Sequence, residues 1–174
     1  MRLFTRLRAS LAVLFAMVLA LALTSPASAL TAQRANPHGT TTLTSPLLQI
    51  APLVGISVAP IAPATMDAPG VITASVAGNQ RAGVLRTAGG LYLSKADGSS
   101  LSMANLHHNL ATGEVSAVVN DTERVIVLTA TENADGTYAY AFTSEGAGIV
   151  RAFVNLLGIP ADGSSFGTVV VNQP

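Results

Sequence analysis

101-LSMANLHHNLATGEVSAVV-119 contains two of the chain's three histidines and a change of hydrophobic phase. Leu101 and Met103 fall at odd positions, whereas Leu106 and Leu110 fall at even ones. Strand side chains alternate between two faces, so one uninterrupted strand cannot bury both pairs. A β-bulge near Ala104–Asn105 inserts one residue and restores a single buried face. After the shift His108 joins Leu106 and Leu110 on the inward face, and His107 points the other way. Neighbouring side chains on opposite faces cannot chelate one ion together, which excludes the pair as a joint metal site. Ala111-Thr112-Gly113-Glu114 is a tight turn, and Val115, Ala117 and Val119 return as the second arm of a hairpin. A His108 packed in this way is expected to accept leucine without loss of stability.

The same pattern extends to both sides. Upstream, 71-VITASVAG-78, Val84–Arg86 and 91-LYLSK-95 read as strands separated by glycine-rich turns, with Asp97-Gly98 as a hairpin turn. Downstream, 125-VIVLTAT-131 and 138-YAYAF-142 follow, joined by Asp135-Gly136, and 166-FGTVVV-171 closes the series. Two helical patterns interrupt the strands. In 45-SPLLQIAPLVG-55, Ser45 is the expected N-cap and Pro46 suits the first helical position. Pro52 limits this helix to a couple of turns and Gly55 ends it. The second runs from Ser144, its expected cap, to Leu157, with Gly158 as the stop. 56-ISVAPIAP-63 reads as an edge segment, because Pro60 and Pro63 cannot donate to a ladder. The expected fold is mainly β: an antiparallel β-sandwich with two short α-helices, filling residues 45–174 as one domain.

A cleaved signal peptide is expected ahead of it. Arg2, Arg6 and Arg8 precede the uncharged run Leu11–Leu23, and Ala27-Ser28-Ala29 has the small-x-small form that places cleavage after Ala29. Residues 30–44 lack periodicity and read as a flexible leader. Removal of residues 1–29 leaves 145 of the 174, with six Lys/Arg against nine Asp/Glu, a net charge of −3. That balance offers no basic track for nucleic acid and no cationic face for a membrane surface, so neither nucleic acid nor membrane insertion after cleavage is expected. Export normally permits disulfides, yet the chain has no cysteine, so a buried core must supply the stability. The expected location is extracellular.

Within this frame, 83-GVLRTAGGLYLSKADGSSLSMANLHHNLATGEVSAVV-119 resembles the core of the HtaA-type domain of exported actinobacterial proteins, a family associated with haem uptake. The resemblance rests on Gly, strand, Gly-Gly-Leu, strand, turn, Asn-Leu-x-x-x-Leu-x-Thr-Gly and strand, and extends over roughly residues 40–172. It implies a secreted, non-enzymatic binding module, with haem as the candidate cofactor. Members place an axial tyrosine and a tryptophan at the first helix, whereas PLLQIAPLV has neither, and Ala88 stands before Gly-Gly where a histidine is frequent. The remaining candidates for a haem-like ligand are Tyr92, His108, Tyr138 and Tyr140.

No catalytic constellation is present. There is no G-x-S-x-G elbow, and Asp121 and Glu123 share one turn instead of flanking a cleft. Asp97-Gly98 and Asp135-Gly136 lack the regular oxygen series of a calcium loop. Two functions remain. One is a binding module for a small hydrophobic or haem-like ligand or a cell-surface partner; the other is a structural cell-envelope or matrix protein. A cavity lined by tyrosine and histidine favours the first, and a filled core with a flat apolar patch favours the second.

Overall fold

At the bulge near Ala104–Asn105 the pairing of one strand passes from one neighbour to another. In the computed structural model, which describes residues 39–79, 83–156 and 158–172, Asn105 takes the left-handed conformation at φ 52. Pairing slips there between Ala104 and His107. The signal sequence expected over 1–29, its cleavage at Ala29, and residues 30–38 lie outside the described residues. The strand that carries the bulge, β7 (Ser100–Asn109), has two partners in succession along one edge. Its first half pairs with β6 (Gly90–Lys95) and its second half with β5 (Val84–Thr87). The other edge pairs from Met103 to Asn109, across the bulge, with β8 (Glu114–Val119).

From β8 the chain meanders through β9 (Glu123–Glu132) and β10 (Tyr138–Phe142). β10 then pairs with β11 (Ser165–Asn172). On the other side β5 pairs with β4 (Val71–Asn79). Between β11 and β4 lies β1 (Thr40–Thr44), antiparallel to both: Leu43 stands opposite Val169 on one side and Ile72 on the other. The ring β1-β4-β5-β7-β8-β9-β10-β11 is therefore closed, with every neighbour antiparallel.

This corrects the sandwich expectation. A sandwich needs two sheets with separate edges, whereas here one sheet curls through bulges at Ala104/His107, Val115/Ser116 and Tyr140/Ala141 and closes on itself. The last five residues assigned to a leader are the closing strand. Beyond the end of β5 the ring carries a spur. β6 and then β2 (Ile56–Ile61) extend from β7, and β3 (Thr65–Ala68) extends from β4. β2 is an edge strand, as its prolines require.

Two helices flank the ring. α1 (Pro46–Ile50) continues as a 3-10 turn over Ala51–Val54, and Gly55 ends it in the left-handed conformation at φ 75. Ser45 occupies the N-cap position, but its hydroxyl donates to the Phe166 carbonyl and ties the helix start to β11. α2 (Ser144–Val154) is capped one residue earlier than expected, by Thr143. Its Oγ1 accepts from the Gly146 amide at 3.0 Å and donates to the Ile126 carbonyl at 2.7 Å. Asn155, left-handed at φ 58, stops it short of Gly158. No helix among the described residues is long and apolar enough to cross a membrane.

Gly146 lies against the β9 backbone, where a Cβ would collide with the Val127 carbonyl; Gly148 has only the tip of Arg151 within 4.0 Å. The same substitution in one helix is therefore expected to act in opposite directions. Gly146→Ala should lower stability by about 1–3 kcal/mol through overpacking. Gly148→Ala should raise it by up to about 1 kcal/mol through helix propensity. Urea unfolding of the two variants checks the sign of each.

Candidate functional site

An eight-stranded ring has an interior just wide enough for side chains to fill, or to hold one small ligand. Here filling is incomplete. An apolar cavity of about 70 Å³ remains, lined by residues from all eight strands of the ring together with Gly90 and Leu91 of β6. Leu43, Ile72, Leu85, Met103, Leu106, Phe142 and Phe166 supply most of the wall. Its polar groups are Thr41, Thr87, His108 and Tyr140. The Thr41 hydroxyl already donates to the Ala74 carbonyl at 3.5 Å.

The bulge aims His108 inward. Its side chain is 4 % exposed, while His107 lies half-buried on the outer surface. Strict alternation along β10 turns Tyr138, Tyr140 and Phe142 inward and leaves Ala139 and Ala141 between them. β7 and β10 are separated around the ring by β8 and β9, so contacts between them cross the barrel. Tyr140 Oη lies 3.2 Å from His108 Nδ1. The imidazole meets the rings of Tyr138 and Tyr140 edge-on, with centroids 4.8 Å and 5.6 Å apart. T-shaped contacts of this kind add to the area that each ring buries.

Burial disfavours charge on both members. It lowers the His108 pKa to about 4 and raises that of the Tyr140 phenol. At neutral pH the pair is an uncharged hydrogen bond with one shared proton position. It can donate or accept toward a cavity occupant, but it holds no nucleophile activated by a third group. Among the described residues no group of three or more His, Asp or Glu side chains is placed to bind a metal.

Of the four tyrosine and histidine candidates, His108, Tyr138 and Tyr140 come together. Tyr92 does not: it sits on β6 between buried Leu91 and Leu93, faces outward and is 41 % exposed. Sequence reasoning missed Thr41 and Leu43, because a run of threonines carries no apolar alternation. The only available signal was the match between Thr-Thr-Thr-Leu-Thr and a β-branched partner run in 169-VVV-171.

No family model and no curated protein sequence matches the chain. Among solved structures, the haem-binding protein HtaB from Corynebacterium glutamicum has a similar fold, with a TM-score of 0.52. The match covers 77 % of this chain and 91 % of that one at 13 % sequence identity, a level at which the fold alone is shared.

The His108–Tyr140 bond alters what leucine at position 108 does. Once the imidazole is removed, the Tyr140 hydroxyl is buried without its partner, so His108→Leu should cost about 1–3 kcal/mol. Adding Tyr140→Phe should recover most of that loss. Acid should act on the same pair. An unfolded histidine takes up its proton near pH 6.5, and folded His108 only near pH 4. Between those values the unfolded chain binds more protons, so this contribution is intact above pH 6.5 and is lost as the pH falls toward 4. The open space beside the ring softens the penalty, leaving roughly 1–2 kcal/mol. Urea denaturation at pH 7.5 and 4.5 should show the loss in the wild type, with the double variant lacking this share of it.

Proposed function

We propose that the protein is a secreted, non-enzymatic binding module that takes a slim apolar ligand into the barrel, with His108 and Tyr140 as its polar anchor. The observation that carries this reading is the cavity itself. It is apolar on nearly all sides and has one uncharged hydrogen-bonding pair at its wall. Small-molecule sites combine features of this kind: a largely preformed apolar wall and a few placed polar groups that fix orientation. The shared fold with a haem-binding protein supports a binding role over a catalytic one.

Haem does not fit this interior. Pockets that enclose drug-sized ligands run to roughly 300–1,000 Å³, and a porphyrin plane needs space of that order. The interior offers about 70 Å³. Tyr138, edge-on to the His108 imidazole, closes one side. An occupant of a few carbon atoms' width, such as the end of an alkyl chain bearing a hydroxyl, matches the shape and the polarity.

The test is a thermal and NMR titration with 1-octanol, beside a separate titration with haemin. Octanol is expected to raise the melting temperature by mass action and to shift the methyl signals of Leu43, Leu106 and Val127. Ala117→Leu, which fills part of the cavity, should weaken both effects while leaving the protein folded. The reading fails if octanol leaves methyl shifts and melting temperature unchanged. It fails equally if haemin binds with an iron-ligation band that His108→Leu abolishes.

A further inference from the structure

Four cationic side chains belong to the described residues: Arg86, Lys95, Arg124 and Arg151. Lys95 pairs with Asp97 and Arg151 with Asp162. The other two have no acidic partner among the described residues, and the fold brings them toward each other. Arg86 on β5 stands directly opposite His107 on β7, and His107 stands directly opposite Ser116 on β8. Directly paired residues point to the same face, so the three side chains form a row across the outer wall. From β9, Arg124 lies along this row: its guanidinium donates to the Ser116 carbonyl at 3.3 Å and to the Ser116 hydroxyl at 3.2 Å.

We propose that Arg86, His107, Ser116 and Arg124 form a binding site for a phosphate group on the outside of the barrel. Arg86 and Arg124 are exposed and flank one imidazole, so water screens their mutual repulsion in part and an anion between them is attracted to both. Partial burial first, and Arg86 second, lower the Arg124 pKa; partial burial first, then Arg124 and Arg86, lower that of His107. Glu114, on the same face of β8, makes no ion pair with either guanidinium; its carboxylate accepts from the Thr112 hydroxyl at 3.0 Å. Phosphate carries about −1.5 to −2 at neutral pH, which matches two guanidiniums where a single carboxylate does not. Its tetrahedral oxygens can accept from Arg86, from Arg124 and from the imidazole at once. The Ser116 hydroxyl accepts from Arg124 and keeps its own proton to donate. Arginine forks suit such oxygens. The site is separate from the cavity, because neighbouring residues of β7 face opposite sides of the wall.

The experiment is an NMR titration of the purified protein with inorganic phosphate, following the His107 imidazole and the arginine side-chain signals. Sodium chloride at matched ionic strength is the control, and a second arm uses phosphatidylcholine vesicles containing phosphatidic acid. Phosphate is expected to give saturable shifts and to raise the His107 pKa, as an anion facing the imidazole must. Arg86→Gln and Arg124→Gln should each weaken binding roughly tenfold, the loss of one charge-assisted contact, with melting temperature retained. Binding to the vesicles but not to free phosphate, with the same two losses, identifies a lipid headgroup as the source of the group. Shifts reproduced by chloride, or unaltered in both variants, would show two solvated arginines and overturn the site.

Discussion

The ring closes through five residues. Thr40–Thr44 carry a ladder on each edge, to β4 and to β11, and without them the sheet would end in two open strands. Closure disposes of backbone donors and acceptors that an edge would leave unpaired, and it removes the template for association that such an edge presents. It also sets the width of the interior. Eight antiparallel strands enclose a space that side chains from opposite walls just span, so residues far apart in sequence and around the ring come into contact. Leu43 of β1 faces the cavity beside Ile72 and Val169, its two cross-strand neighbours.

The polar pair inside follows from that geometry. A buried histidine is costly when charged and inexpensive when neutral and bonded. Tyr140 provides the bond, and the edge-on tyrosine rings provide the packing. Replacing both partners by apolar groups of the same shape is nearly neutral for stability, so folding alone gives little reason to keep a polar anchor in an otherwise apolar chamber. In the proposed reading, the pair is there to orient an occupant.

Much of the fold was legible in the sequence because it depends on local rules. The phase change between Met103 and Leu106 located the bulge and the facing of both histidines, and the alternation in 138-YAYAF-142 located the inward tyrosines. Closure was not legible. Sandwich and barrel are built from the same alternating strands, and they differ only in which edges meet, a non-local property that periodicity does not carry. Thr40–Thr44 was hidden for a related reason: its strand character comes from β-branched residues paired on both sides, not from an apolar face. Ser144 looked like the cap because it begins the helical pattern, yet the β9 carbonyl at Ile126 was within reach of Thr143. The facing of Tyr92 was legible too, since the alternation of 91-LYLSK-95 sets it opposite Leu91 and Leu93, a signal that its choice as a ligand candidate passed over. The cationic row was invisible because Arg86, His107, Ser116 and Arg124 align only when four strands are in register.

Adjacent histidines on β7 therefore belong to two different chemical settings. His108 loses basicity to burial alone and has no cation beside it, so its charge state is tied to the packing of the interior. His107 loses basicity to partial desolvation and to two guanidiniums, so an anion drawn to those guanidiniums restores what they take away. One strand thus separates an apolar, uncharged chamber from a cationic outer row by the width of a single backbone. The bulge at Ala104–Asn105 sets which histidine faces which side, because a register slip by one residue exchanges the two faces. It would place His107 against Tyr140 and expose His108 to the arginines. The same local irregularity that bends the sheet toward closure therefore also assigns the chemistry of its two surfaces.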